Sequence, residues 1–519
     1  MPDDPPVPDD VDVRRVPRVP VDDPTLGIAV EVPRSGRPLH RMVTIGDSLA
    51  HGFQSGAVFH TDLSFSAIVA HELGWDGLRY PVYPGVGGLP FNIELLLRDL
   101  EQRFGARLDW WELPLALFVA REFADRVEDY WERGPGSTTP VTRAIRHVLA
   151  VYGWDLRDAL VRTANRALSE IRQPSDDLVN QFVSDNGARA ALRVLPVATE
   201  TDRARTVFDA ARALGEETGE DADHGIETLV VFLGANNALG AVTQLRVSWS
   251  GEGYDDLDRN GAFTVWRPSH FAAELGLVAD RVQQIRARHV IWCTVPHVTI
   301  PPIARGVGER PRGSRYFPYY TRPWISDRNF DPRRNRHITA GQARAVDSAI
   351  DQYNDAIADV VVGARRDGRD WYLLDTAGVL DRLAARRYLE EPSARPDWWT
   401  PYPLPPELAA LRPVPDTRFL ATRAGRRAAG GLFSLDGVHP TTVGYGILAQ
   451  ELVGVMERAG VVFTLPDGTP RPSPVRVDFA RLIRRDTLLT RSPATLSSGL
   501  GVLGWADETL GLFGLALPF

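Results

Sequence analysis

Short apolar runs recur along this chain, each closed by a turn and followed by a stretch whose apolar residues fall three and four apart. RMVTI (41–45) ends at Gly46 and leads to Phe65, Ile68, Val69 and Leu73, a helical face stopped by Gly74. LRYPVY (78–83) runs into PGVGGLP and then Ile93, Leu96, Leu97, Leu100 and Phe104, stopped by Gly105. ETLVVFLG (227–234), HVIWCTV (289–295) and DWYLLDT (370–376) read as three more strands, with helical patterns at 269–287 and 341–363 between them and a closing helix at 441–458. Such alternation requires crossover connections, which stack helices on both faces of a parallel sheet. The predicted fold is therefore α/β: a flavodoxin-like, doubly wound parallel five-stranded sheet of order 2-1-3-4-5, with a helical insertion and long loops.

The intervening sequence sets the organisation. Residues 1–38 are rich in Pro and Asp and predict an irregular arm strapped to the body. The α/β domain spans 39–459. Within it, about 106–224 reads as a cap-like insertion of helices near 115–132, 140–151, 155–171, 176–193 and 202–215. Residues 377–434 read as loop with one short helix, and 460–519 form an extension that ends in a Gly/Leu-rich segment. That segment could lie on a membrane or an acyl-chain entrance, but its Asp507-Glu508 and many glycines favour a docked surface segment, so membrane contact is not expected.

Composition narrows the function. A chain of 519 residues with 44% hydrophobic content buries a large core, so its 45 glycines and 40 prolines belong to long loops rather than disorder. A net charge of −8 repels a phosphate backbone, which argues against nucleic acid. The lone Cys293 cannot form an internal disulfide, and the N-terminus resembles no signal peptide. The apolar run LPLALFVA (113–120) falls well short of the roughly 18 residues of a membrane span. The expected compartment is the cytoplasm. Every basic residue is Arg, which excludes Schiff-base lysine chemistry, and no His/Cys cluster has metal-ligand spacing, so no cofactor or metal is expected.

Gly46-Asp47-Ser48-Leu49 places Ser48 at the carboxyl end of the first strand and the amino end of the next helix, the edge where open α/β sheets bind ligands. The same serine would serve equally as a helix N-cap, so its chemistry depends on a base. Two histidines follow a carboxylate by three residues, Asp221/His224 and Asp436/His439. His224 precedes the strand at 227–234 and falls at its amino end, the wrong side. Asp436 and His439 follow the last strand and return to the edge that carries Ser48. Two further loops at that edge offer oxyanion donors: Gly85-Val86-Gly87-Gly88 after the second strand and Gly234-Ala235-Asn236-Asn237 after the third.

As an ordered set, IGDSLAHGFQSG, YPGVGG, GANN and DGVHP resemble the blocks of the SGNH, or GDSL, hydrolase superfamily. The resemblance covers about 60% of the chain. It departs at Asn237, where the family usually has Asp, and at Tyr83-Pro84, where an asparagine commonly stands before the second-block glycines. The resemblance implies Ser48 as nucleophile, His439 as base, Asp436 as its orienting acid, and Ser48, Gly88 and Asn236 as oxyanion donors. It implies a serine esterase or lipase acting on a small-molecule or lipid ester. The alternatives are an acyltransferase using the same triad, or a noncatalytic glycan- or lipid-binding protein on this fold, to which Trp110-Trp111 and Trp398-Trp399 would lend platforms.

Overall fold

The computed structural model describes residues 6–32, 36–109, 111–173, 183–423, 425–496 and 504. Its centre is a five-stranded parallel sheet of β1 (His40–Gly46), β2 (Val148–Ala150), β3 (Ile226–Phe232), β4 (Ala287–Cys293) and β5 (Trp371–Leu374). The spatial order is β2-β1-β3-β4-β5, which is the predicted 2-1-3-4-5. Gly46 lies opposite both Ala150 and Phe232, so the carboxyl ends of β1, β2 and β3 form one level edge.

Apolar residues fill both faces of each strand, as a sheet covered on both sides demands. Met42, Val148, Val230, Ile291 and Tyr372 belong to one core, and Val43, Leu149, Leu229, Val290 and Leu373 to the other. Helices α1 (Ser48–His51), α2 (Phe65–Glu72), α3 (Val207–Glu216), α4 (Asn236–Thr243), α5 (Pro268–Gln283), α6 (Ala340–Arg366), α7 (Thr376–Leu383) and α8 (Thr442–Arg458) flank the sheet or carry the site. Ile68 and Val69 of α2 and Val443, Leu452 and Val453 of α8 pack into the first core. Residues of α3, α5 and α6, including Phe208, Phe271 and Tyr353, fill the second.

The second strand is a correction. Residues 78–83 form no strand, because Pro81 and Pro84 lack the N–H groups that a ladder needs. Arg79 instead exchanges hydrogen bonds with His147, donating to its Nδ1 and accepting from its backbone N–H. The true β2 is VLA, inside the stretch 140–151 predicted as a helix. The region 106–224 thus contains both the second sheet strand and its return helix α3. Its longest helix, Leu113–Glu132, packs Val119, Phe123 and Trp131 into the same core as the sheet. The predicted helix at 176–193 begins in residues outside those described and is seen as Asn186–Val194. Residues 377–434 hold more structure than expected, including α7 and a hairpin of Ala421–Arg423 with Arg426–Ala429.

Residues 6–32 contain no helix or strand and are strapped down by hydrogen bonds. Arg18 forks onto the Asp375 carboxylate at 2.9 and 3.0 Å, Val21 N–H donates to Asp375 Oδ2 at 2.7 Å, and Leu373 N–H donates to Pro24 O at 2.9 Å. Among the described residues, no helix is long and apolar enough to cross a membrane. The Gly/Leu-rich tail and Trp110 lie outside the described residues, apart from Gly504.

Candidate active site

Ser48 opens α1 directly after β1. A side chain at Gly46 would stand 2.8 Å from Phe232 O and 2.5 Å from Ala50, so only glycine lets the turn close this tightly against β3. Asp47 caps the helix, its Oδ1 accepting Leu49 N–H at 3.0 Å. Gly52, at φ +85°, ends the helix after one turn and donates to Ser48 O at 3.1 Å. Asp47 Oδ2 is buried without a hydrogen-bond partner, and burial pushes this carboxyl up to about 7.

The histidine arrives from the far end of the chain. The loop that precedes α8 turns at Gly437, at φ +70°, where an added Cβ would meet Ile303 N at 2.9 Å. Asp436 Oδ1 accepts the backbone N–H groups of Val438 and His439, both at 2.8 Å. Its Oδ2 accepts Gly56 N–H at 3.1 Å and lies 3.1 Å from His439 Nδ1. With Nδ1–H donating to that carboxylate, Nε2 carries the lone pair, and it stands 2.8 Å from Ser48 Oγ. Burial alone would raise the Asp436 carboxyl. The imidazole beside it and the N–H donors of His439 and Val438 outweigh burial and hold it below the ordinary carboxylate range. All three side chains are buried, Asp436 completely.

A short antiparallel ribbon of Phe53–Gln54, Ala57–Val58 and Leu89–Pro90 braces this arrangement. The Phe53 ring lies 4.6 Å from the His439 ring, Tyr445 Oη donates to Phe53 O at 2.7 Å, and Ser55 N–H donates to Ser434 Oγ at 2.9 Å. The sequence reading did not single out these residues. The only hint was HGFQSG, whose Ser55 and Gly56 both adopt positive φ.

Asn236 stands at the carboxyl end of β3, as expected, and its Nδ2 donates to Trp154 O at 2.7 Å. That bond fixes the orientation of the carboxamide. Asn237 is fully buried and structural, its Oδ1 accepting Leu156 N–H at 3.4 Å. Gly88 is placed differently from the prediction. A Cβ added at Gly88 would run into Val58 O and Phe59, its carbonyl accepts Trp131 Nε1–H at 2.7 Å, and its φ of +90° serves the ribbon. The first glycine after β2 is Gly153, at φ +78°, flanked by Tyr152 and Trp154.

His51, also missed, ties the two loops together. Its Nδ1 accepts Tyr152 N–H at 3.2 Å, so Nε2 carries the hydrogen and donates to Tyr83 Oη at 2.7 Å, which in turn donates to Ala190 O at 3.0 Å. Burial drives its pKa down to about 3, so the ring is neutral. Helix α1 is thereby fastened to the Tyr152-Gly153-Trp154 turn. Among the described residues, no group of three or more His, Cys, Asp or Glu is arranged to hold a metal.

The arrangement can move a proton from Ser48 Oγ to His439 Nε2 while Asp436 stabilises the resulting imidazolium. Compared with known proteins, the chain matches no family model and no curated relative.

Proposed function

We propose that this chain is a serine hydrolase of the SGNH type that cleaves carboxylic esters through an acyl-enzyme. The observation that carries the reading is the unbroken line of contacts from Ser48 Oγ through His439 to Asp436, at 2.8 and 3.1 Å, between segments 391 residues apart in sequence. His439 Nε2 takes the hydroxyl proton as Ser48 Oγ attacks the ester carbonyl, then returns it to the departing alkoxide. Water, activated by the same nitrogen, attacks the acyl-enzyme and releases the acid. Both tetrahedral oxyanions are met by Ser48 N–H, Asn236 Nδ2–H and, in place of the Gly88 expected from sequence, Gly153 N–H. Each donor fixed in advance lowers the barrier because none has to reorganise as charge develops.

The test is a fluorophosphonate probe with mass-spectrometric mapping, alongside p-nitrophenyl ester hydrolysis. The expected adduct is on Ser48, and Ser48→Ala abolishes both labelling and hydrolysis. An adduct on another serine, or hydrolysis that survives Ser48→Ala, overturns the reading.

A further inference from the structure

We propose that the protein carries an anion site behind the loop that follows β4: a phosphate-class oxyanion, phosphate or sulfate, held by Arg315, Arg386 and Arg387 where the arginine-rich excursion 305–337 meets that loop.

The excursion is charged against the rest of the chain. Residues 305–337 hold nine arginines and three carboxylates in a protein whose net charge is −8. Arg305–Val307, Tyr319–Thr321 and Ile338–Thr339 pair as a small antiparallel sheet at its base. Beside it is a pocket of about 260 Å³, walled by Arg315 and Tyr320 of the excursion, Thr299 of the loop after β4, Arg386 and Arg387 of the segment after α7, and two apolar side chains. Three guanidinium groups and no carboxyl line it.

Only one of the three has an anionic partner. Arg387 binds Asp347 at 2.7 Å and faces Asp381 at 3.6 Å. The carboxylates behind it are taken up: Asp347 also accepts Thr299 Oγ1 and Tyr316 Oη, and Asp351 and Asp381 flank His297. Arg386 donates through Nη2 to the carbonyls of Ile300, Pro301 and Ala304, at 3.3, 3.4 and 3.0 Å, and makes no ion pair among the described residues. Arg315 lies beside Tyr388, with its guanidinium carbon 5.3 Å from the Tyr316 ring centre, and likewise makes no ion pair among the described residues. Glu390, which shares a neighbouring hollow with Arg386, is bonded to Arg418 at 2.6 Å.

Taking a guanidinium out of water without a carboxylate is costly, and burial pulls Arg386 down to about 10. Two such groups at one pocket call for a doubly charged counter-ion. The planar forks of arginine match the oxygen edges of a phosphate or sulfate, a fit that a spherical chloride lacks. The neighbouring hollow, of about 740 Å³, adds Arg305 and Arg418 to the shared Arg386, so an organic phosphate has room to extend from the pocket. Thr299 belongs to the same segment whose Pro296, His297 and Val298 wall the pocket beside Ser48. The anion therefore ties the excursion to the back of that wall.

The test is anion titration of the full-length protein at constant ionic strength, balanced with chloride. The melting temperature is expected to rise by a few degrees in about 10 mM phosphate or sulfate and by less than about one degree in chloride. Calorimetric titration with inorganic phosphate is expected to show a single site. Arg315→Gln, which breaks no ion pair, is expected to melt like the parent in chloride and to weaken phosphate by about tenfold or more. Arg312→Gln, the same charge loss at an exposed position outside the pocket, is expected to bind phosphate within about twofold of the parent. A phosphate effect no larger than that of chloride, or equal losses from the two substitutions, would be general screening and would overturn the site. Glycerol 3-phosphate separates the sources of the anion. If it binds as tightly as inorganic phosphate, the site takes the phosphate end of an organic ligand; if only inorganic phosphate binds, it takes the free ion; if neither binds, the proposal falls.

Discussion

Two Asp-x-x-His segments in this chain have nearly the same local geometry and stand at opposite ends of the sheet. In Asp221-Ala222-Asp223-His224, Asp221 Oδ1 accepts His224 N–H at 3.0 Å and Oδ2 lies 3.2 Å from Nδ1. In Asp436-Gly437-Val438-His439 the same contacts are 2.8 and 3.1 Å. The first pair precedes β3, its carboxylate also binds Arg288 at 2.7 Å, and its imidazole is 30% exposed. The second follows the sheet to its carboxyl edge, where the imidazole is 1% exposed and faces a serine. Spacing alone therefore makes an oriented imidazole. The direction of the neighbouring strands decides whether it has a hydroxyl to work on.

The sharpest way to break this contrast is to remove the serine or either histidine. Ser48→Ala or His439→Ala should lower ester turnover by about 10⁵-fold or more, whereas His224→Ala should leave the rate within about twofold. Equal losses at the two histidines would dissolve the distinction. Next come the acids: Asp436→Asn should cost about 10⁴ in kcat, since an amide in its place favours the wrong imidazole tautomer, with little change in KM. Asn236→Ala probes a donor that only the carboxyl edge possesses, and a loss of about 10²–10³ in kcat is expected in steady-state assays.

Smaller effects sharpen the amino-edge side. Asp221→Asn should leave kcat unchanged but lower the unfolding free energy by about 1.5–3 kcal/mol in a denaturant titration, because the Arg288 guanidinium loses its charged acceptor. The last concerns Asp47, the buried acid next to Ser48. Because burial raises its folded pKa to about 7, the native state holds a proton that the unfolded chain has lost above about 4. Stability from this group therefore falls as pH rises through that window and levels off above it. Asp47→Asn removes the loss, so its melting temperature relative to the parent should climb by a few degrees between pH 4 and 7 and then stay level.

The sequence made the site's two ends readable because each is local. Gly46-Asp47-Ser48 sits against an unmistakable strand, and Asp436 reaches its own histidine within four residues. β3, β4 and β5 were legible as long apolar runs that bury both faces. β2 was not, because three residues at a sheet edge, Val148–Ala150, carry too little pattern to stand out from RAIRHVLAVYGWD, which has apolar residues at helical intervals. That miss propagated. If LRYPVY is the second strand, the glycines after it fall at the oxyanion edge; in the structure their freedom serves the approach of Gly88 to Val58. The contacts of His51 with Tyr152 and of Asn236 with Trp154 join segments 101 and 82 residues apart, a pairing that no spacing rule could reveal.

Asp375 gives the chain's first thirty residues a weight that their composition conceals. Its carboxylate receives Arg18 and Val21 from the strap, Thr294 from the end of β4, and the Gly378 N–H of the helix that supplies Leu380 and Leu383 to the wall of the pocket beside Ser48. A proline-rich strap that a protein engineer would trim to improve crystals is thus tied to the helix that lines the pocket beside Ser48. Shortening it is expected to loosen that wall while Ser48, His439 and Asp436 keep their mutual contacts.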